Sequence, residues 1–283
     1  MQMEVPVTEL IEKRCSWRSF SGNPLPEQSR TMLEEFLTDP GNPPFGSQTR
    51  FGLVDGGVDG AKRVPGTYGI IRGARDFIVG VVQPGPKDLE DYGFLFEKAV
   101  LFATGLDLGT CWMGGTLKHT VFADKIRLGE NEVLPCICPV GQRAPRRTVL
   151  DSVMVIGAGS KKRKGWGESF FDGQFSRPLT KENAGDYALP LEMVRLAPSA
   201  SNKQPWRILR TQDGFHFFLT RNRAYKNMFK ADLQRIDMGI AMCHFDLSAR
   251  EAGLEGQWVS QAPMLSPMPS SLEYAASWKS SKK

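Results

Sequence analysis

The chain has 283 residues, of which 41% are hydrophobic and 24% charged, with a formal net charge of +5. That length and balance describe a folded globular protein with a sizeable core and exclude a disordered or fibrous one. No apolar run reaches the roughly 20 residues that span a bilayer, and the opening MQMEVPVTELIEKR lacks the pattern of a secretory leader, so a cytoplasmic location is expected.

Residues 7–15 and 27–37 carry apolar positions at helical spacing, with the turn-rich SWRSFSGNPLP between them. Asp76–Val82 and Val133–Gly141 are β-rich apolar runs and read as buried strands. Tyr92–Leu108 reads as a long apolar helix, followed at once by the turn GTCWMGGT. Beyond Phe171, Pro190–Leu196 reads as helix, PSASNKQP as loop, and Trp206–Arg210 and Phe215–Thr220 as strands. Leu233–Ala252 then reads as helix and Gly256–Ser260 as a short strand.

This second series repeats the plan of the first. At an offset of 146 the central helices align without a gap, matching Asp91 with Asp237, Gly93 with Gly239, Ala103 with Ala249 and Trp112 with Trp258. At an offset of 154, Pro44 matches Pro198 and Ser47 matches Ser201. A repeat of this length predicts two packed copies of one unit, residues 1–170 and 171–283, and not a solenoid.

Five scattered cysteines do not make a disulfide framework, and Cys136 and Cys138 have no second pair to complete a zinc site. His119, His216 and His244 show no metal-ligand spacing, so no metal is expected and the three are read as structural or surface residues. Basic residues cluster at Arg143–Arg147, at Lys161–Lys164 and in the Lys282–Lys283 tail. Such runs suit a solvated face or one small anion such as phosphate. No helix carries a basic stripe with interleaved aromatics, so neither nucleic acid nor membrane is an expected partner.

Three segments carry chemistry. In Arg14-Cys15-Ser16-Trp17-Arg18 the alternation of an extended chain turns Arg14, Ser16 and Arg18 to one side, where they can converge on an anion. In Pro198-Ser199-Ala200-Ser201-Asn202-Lys203-Gln204-Pro205-Trp206, small side chains admit a flat ligand and the polar ones supply donors and acceptors. In Gly109-Thr110-Cys111-Trp112-Met113-Gly114-Gly115 the paired glycines leave backbone N–H groups unshielded. Taken singly, a basic turn, a polar loop and a tight turn account for each.

Together and in this order, the three segments resemble the FMN-dependent nitroreductase family, over most of the chain. The resemblance implies an α+β fold of two mainly antiparallel sheets flanked by helices and related by a pseudo-twofold axis. It implies that Arg14, Cys15, Ser16 and Arg18 hold the FMN phosphate and ribityl chain, with Lys161 and Arg163 as a late basic pair. It places Pro198, Ser199, Ala200, Ser201 and Asn202 on the flavin from the other half. The Met113-Gly114-Gly115 turn would aim the Gly114 N–H at flavin N5, and Arg72 or Arg75 would put positive charge near N1 and O2.

The departures from that family are complementary. The first half keeps the arginine and glycine motifs but has Pro44-Phe45-Gly46-Ser47 where the serine loop should be. The second half keeps the serine loop but has Phe175-Ser176-Arg177-Pro178 and Gly256-Gln257-Trp258 in place of the other two. The expectation is one complete site per chain and a monomer that imitates the usual dimer. The implied activity passes hydride from NAD(P)H through the flavin to a small acceptor, a nitroaromatic, quinone or enone. A flavin carrier or sensor without turnover is the alternative. Gln48–Tyr68 and Arg221–Lys230 are the expected specificity loops.

Overall fold

The computed structural model describes residues 5–56, 69–114, 119–148, 151, 162–222, 231–264 and 269–281. In chain order the first elements are helices α1 (Val7–Lys13) and α2 (Glu27–Thr38), strands β1 (Thr49–Asp55) and β2 (Asp76–Val82), and the long helix α3 (Asp88–Gly105). Strand β3 (Gly109–Thr110), helix α4 (His119–Ile126) and strand β4 (Ile137–Gly141) complete that series. A second series begins with the short helix α5 (Trp166–Ser169), β5 (Phe170–Asp172), β6 (Gln174–Pro178) and the one-turn α6 (Lys181–Ala184). It continues through α7 (Ala188–Leu196), β7 (Trp206–Thr211), β8 (Gly214–Thr220), α8 (Leu233–Glu251), β9 (Gly256–Val259) and β10 (Leu272–Ser280).

Two sheets result, each drawn from one series. The first runs β1-β2-β4-β3 with antiparallel neighbours, and Thr49 to Asp55 pair in unbroken register with Val82 to Asp76. The second runs β6-β5-β7-β8-β10-β9, antiparallel except for the parallel pair β5–β7. The chain is therefore α+β, with helices between and around two mainly antiparallel sheets.

Strand β2 explains why a continuous apolar run belongs in the centre of a sheet. Ile78 and Val82 point into the larger core, while Phe77, Val79 and Val81 point into a second cluster with Phe20, Ile71 and Phe122. Both faces are dry, so every position in DFIVGVV is buried. The larger core is built on α3 and α8, which pack together over most of their lengths and are buried on nearly all sides.

Helices so enclosed must satisfy their charged residues internally. Arg235 at the start of α8 reaches Asp88 at 2.9 Å and Glu90 at 2.5 Å on α3. Asp91 accepts hydrogen bonds from the Phe45 and Ser47 backbone N–H groups, and Asp237 accepts one from the Ala200 N–H. The close approach of the two helices rests on glycine: a Cβ on Gly93 would collide with the Ile236 carbonyl, and one on Gly239 with the Glu90 carbonyl.

Several boundaries differ from the sequence expectation. The Val133–Gly141 run yields a regular strand only from Ile137, because Pro135 interrupts the ladder, although Val133 still bridges Val82. The long helix starts at Asp88, not Tyr92, since its acidic first turn is favoured at a helix N-terminus even though it breaks the apolar pattern. Gln48–Tyr68 is not one loop: Thr49–Asp55 is an edge strand, and residues 57–68 lie outside the described residues, as do residues 223–230. Strand β10 was not expected at all. Its LEYAASWKS sequence has little intrinsic strand character and is held by β8 on one side and β9 on the other. Among the described residues no helix is long and apolar enough to cross a membrane.

Candidate functional site

A cavity of about 480 Å³ opens where both series meet, within the range of small-molecule sites. The end of α1 supplies one wall. Arg14 leaves the helix in an extended conformation, and Trp17 donates its N–H to the Thr110 carbonyl at 2.8 Å while Ser16 pairs with Thr110. This extended stretch presents Arg14, Cys15, Ser16 and Arg18 to the cavity. Trp17 turns the other way, into the second apolar cluster.

The arginines stand in different electrostatic settings. Arg18 and Arg147 share the buried carboxylate of Asp151, at 3.2 and 3.3 Å, and Arg147 lies over the Trp17 ring at 4.0 Å. Two guanidiniums on one carboxylate leave a net positive charge. Arg14 is deeper, with 7% of its side chain exposed; its Nε lies 3.8 Å from Glu97 Oε1 and has no hydrogen-bond partner. Arg163 bonds to the Leu196 carbonyl and, at 3.4 Å, to Asn202 Oδ1. Burial, then the charges of Arg14 and Arg195, hold the Arg163 guanidinium below its ordinary value. Arg14 and Arg163 thus repel one another across a partly desolvated space, a setting that favours an anion between them.

The opposite wall comes from the second series. Pro198–Asn202 lines the cavity, with Ser201 and Asn202 both left-handed at φ 47° and 54°. Strain of this kind in non-glycine residues persists only where surrounding bonds fix it. Here Asp237 takes the Ala200 N–H at 2.9 Å, Ser199 Oγ takes the Gln204 N–H at 2.9 Å, and Asn202 Nδ2 donates to the Lys162 carbonyl at 2.9 Å. Lys164 closes the clamp, donating its N–H to Gln204 Oε1 and its ammonium to the Gln204 carbonyl. Burial, with Arg207 nearby, lowers the Lys164 ammonium to about 8.

The far end is apolar. Leu233, Ile236 and Ile240 of α8 face Trp112, Gly114 and Cys136 of the first series. Met113 exchanges both backbone hydrogen bonds with Ile137, so the following residue, Gly114, turns its N–H to the other side. A Cβ at Gly114 would lie 2.6 Å from Leu233 Cδ2 and 2.7 Å from Cys136 Sγ, both on the cavity wall.

Of the residues singled out in the sequence, eleven line this cavity: Arg14, Cys15, Ser16, Arg18, Gly114, Arg163, Pro198, Ser199, Ala200, Ser201 and Asn202. The Met113 side chain packs away from it, in the second apolar cluster. Gly115 and Lys161 fall outside the described residues. Neither Arg72 nor Arg75 lines the cavity. Sequence reasoning missed Arg147, though the basic run holding it was visible. It also missed the carboxyls of Asp151, Glu97 and Asp237, whose burial no local pattern announces. Glu97 is fully buried between Trp112 Nε1 at 2.6 Å and His244 Nε2 at 2.9 Å, so His244 is structural but stands directly behind Arg14.

A cavity with a cationic end, a hydroxyl- and amide-lined side and an apolar end suits an elongated, anion-bearing ligand with a flat ring. One solved structure shares this fold over nearly the whole chain. A crystal structure of a "putative nitroreductase" from Thermotoga maritima aligns over 99% of this chain and 95% of its own, with 21% identity and a TM-score of 0.63. A "putative nitroreductase in complex with FMN" from Desulfovibrio desulfuricans aligns over 53% of this chain and 95% of its own, with 19% identity and a TM-score of 0.38. An FMN-dependent nitroreductase from Clostridium difficile aligns over 49% and 88%, with 15% identity and a TM-score of 0.39. Curated proteins give no match. A family model described as "Putative TM nitroreductase" matches residues 6–249, and the chain belongs to that nitroreductase family.

Proposed function

We propose that the cavity holds one FMN per chain and that the protein is an NAD(P)H-dependent flavin oxidoreductase. The observation that carries this reading is the polarity of one cavity: clustered guanidiniums, among them Arg14 with its unpartnered Nε, at one end and an apolar wall at the other. The donor set fits the cofactor. Arg14, with its unused Nε, and Arg163 suit the phosphate, supported by Ser16, Arg18 and Arg147. Ser199, Ser201 and Asn202 suit the ribityl hydroxyls and ring edges, and Gly114 lines the same cavity, where a Cβ would press on Leu233 and Cys136 of its wall.

When bound, the flavin supplies the electron transfer from NAD(P)H to a small acceptor, for which nitroaromatics, quinones and enones are the candidate classes. The protein binds and orients the flavin, excludes water with the α8 wall, and leaves one face of the site open for donor and acceptor in turn. The chain divides in this reading into duplicated halves, 1–170 and 171–283, of which each contributes part of a single site. One chain then supplies what a dimer would, and a monomer is expected. In this division Phe170, the last residue of the first half, already pairs with Ile208 of the second.

The reading is tested by titrating the protein with FMN and with riboflavin, following flavin fluorescence. FMN should bind more tightly, and the advantage should shrink as salt rises, because it comes from the arginines. Absence of FMN binding, or equal affinity for both, contradicts the assignment.

A further inference from the structure

Glu97 and His244 meet in a fully buried contact directly behind Arg14. The groups around them leave little freedom in where the hydrogens lie. His244 Nδ1 is 2.9 Å from the Met193 carbonyl, which can only accept, so Nδ1 carries a hydrogen. Trp112 Nε1, which can only donate, is 2.6 Å from Glu97 Oε2 and takes that oxygen as its acceptor. What remains is His244 Nε2 facing Glu97 Oε1 at 2.9 Å. A neutral imidazole protonated on Nδ1 would set its Nε2 lone pair against that of an ionised carboxyl. A proton therefore sits between the two atoms, on Oε1 or on Nε2. In either place the pair as a whole carries no net charge.

That neutrality bears on Arg14. Among the described residues its one ion-pair contact is Glu97, 3.8 Å from Nε, too long for a hydrogen bond, and Nε is left without a partner. The carboxyl is held off because Trp112 and His244 engage both its oxygens. The terminal nitrogens of Arg14 also make no hydrogen bond among the described residues and, unlike Nε, are not fully buried, on a side chain that lines the cavity. The neighbouring thiols of Cys138 and Cys243 are pushed well up by burial and add no charge. At the 146-residue offset Glu97 falls on Cys243 and Lys98 on His244, so the pair has no copy in the other half. It accompanies the arginine segment, which that half lacks.

We propose that His244 is a positioning residue of the cavity: the proton it shares with Glu97 cancels the charge of that carboxyl and leaves the charge of Arg14 free for the ligand's phosphate. This rests on the flavin reading above. Without the shared proton, an ionised Glu97 would compete with the phosphate for Arg14.

Fluorescence titrations of the whole protein with FMN and with riboflavin separate the phosphate from the ring, through the ratio of the two affinities. Glu97→Gln copies the neutral pair, its amide oxygen accepting from Trp112 and its NH2 donating to His244 Nε2, so its ratio should match the wild type. In His244→Gln the amide still donates to Glu97 but shares no charge-cancelling proton, and the preference for FMN should fall roughly tenfold. Adding Glu97→Gln to His244→Gln should restore it, a rescue that a purely structural His244 would not give. An unchanged ratio in His244→Gln, a double variant no better than that single one, or a ratio changed severalfold by Glu97→Gln alone overturns the inference. If His244→Gln binds neither flavin, Glu97→Gln decides by itself. A wild type that binds neither flavin, or both equally, overturns the flavin reading and this inference with it.

Discussion

Gly93 on α3 and Gly239 on α8 are reciprocal contacts. Each has its open face against the other helix's backbone, Gly93 on the Ile236 carbonyl and Gly239 on the Glu90 carbonyl. The same 146-residue offset that maps Gly93 onto Gly239 maps Glu90 onto Ile236. Such exchange, in which each residue meets the counterpart of the residue that meets it, is the signature of a twofold interface. Here it lies inside a single chain, and it favours the proposed duplication.

Because backbone and not a flexible side chain blocks each position, neither glycine has room to become alanine. Gly93→Ala and Gly239→Ala should each destabilise the chain by about 2 kcal/mol or more, measured by denaturant unfolding, with similar losses at the two positions. A loss at one position and none at the other would show that the crossing is not symmetric.

Arg14 carries the clearest anion-seeking group. Arg14→Met should weaken FMN binding roughly 10- to 100-fold, the worth of a charged hydrogen bond or two, while riboflavin binding changes little. Equal losses for both ligands would mean that Arg14 supports the fold of the site and not the phosphate.

At the other end, Gly114→Ala should lower the affinity for FMN and riboflavin alike, by roughly tenfold or more, since the added carbon competes for space with Leu233 and Cys136. The thermal unfolding curve of the ligand-free variant serves as the control. Unchanged flavin affinity would place the ring elsewhere.

Lys164 gives the pH prediction. Its folded value, lowered to about 8 chiefly by burial, lies below the ordinary 10.5. Between those values the unfolded chain binds more protons at this group than the folded one, so its contribution to stability rises with pH across the window. That contribution is complete above 10.5 and lost as pH falls through 8. Relative to Lys164→Met, the wild type should therefore gain stability from pH 8 to 10.5 in denaturant melts. Parallel pH profiles for the two proteins would contradict it.

Much of this was legible in sequence, for identifiable reasons. Long apolar helices and the dry strand DFIVGVV advertise themselves through length and composition, and the Gly93/Gly239 match survived because only glycine fits. The arginine segment and the serine loop were legible because the residues that line the cavity stand close together in sequence within each segment. Asp237 and Glu97 were not, since a carboxyl in the middle of a helix looks the same whether it faces water or a cavity. Strand β10 was hidden for a related reason: its pairing with β8 and β9, and not its own residues, makes it a strand.

One working flavin site per chain is open to direct test. The protein is incubated with excess FMN, freed of unbound ligand, and its visible spectrum recorded against chain concentration, before and after anaerobic addition of NADPH and then NADH. One bound FMN per chain and bleaching by at least one of the two donors are expected. A colourless protein, two flavins per chain, or a bound flavin that neither donor reduces would contradict it.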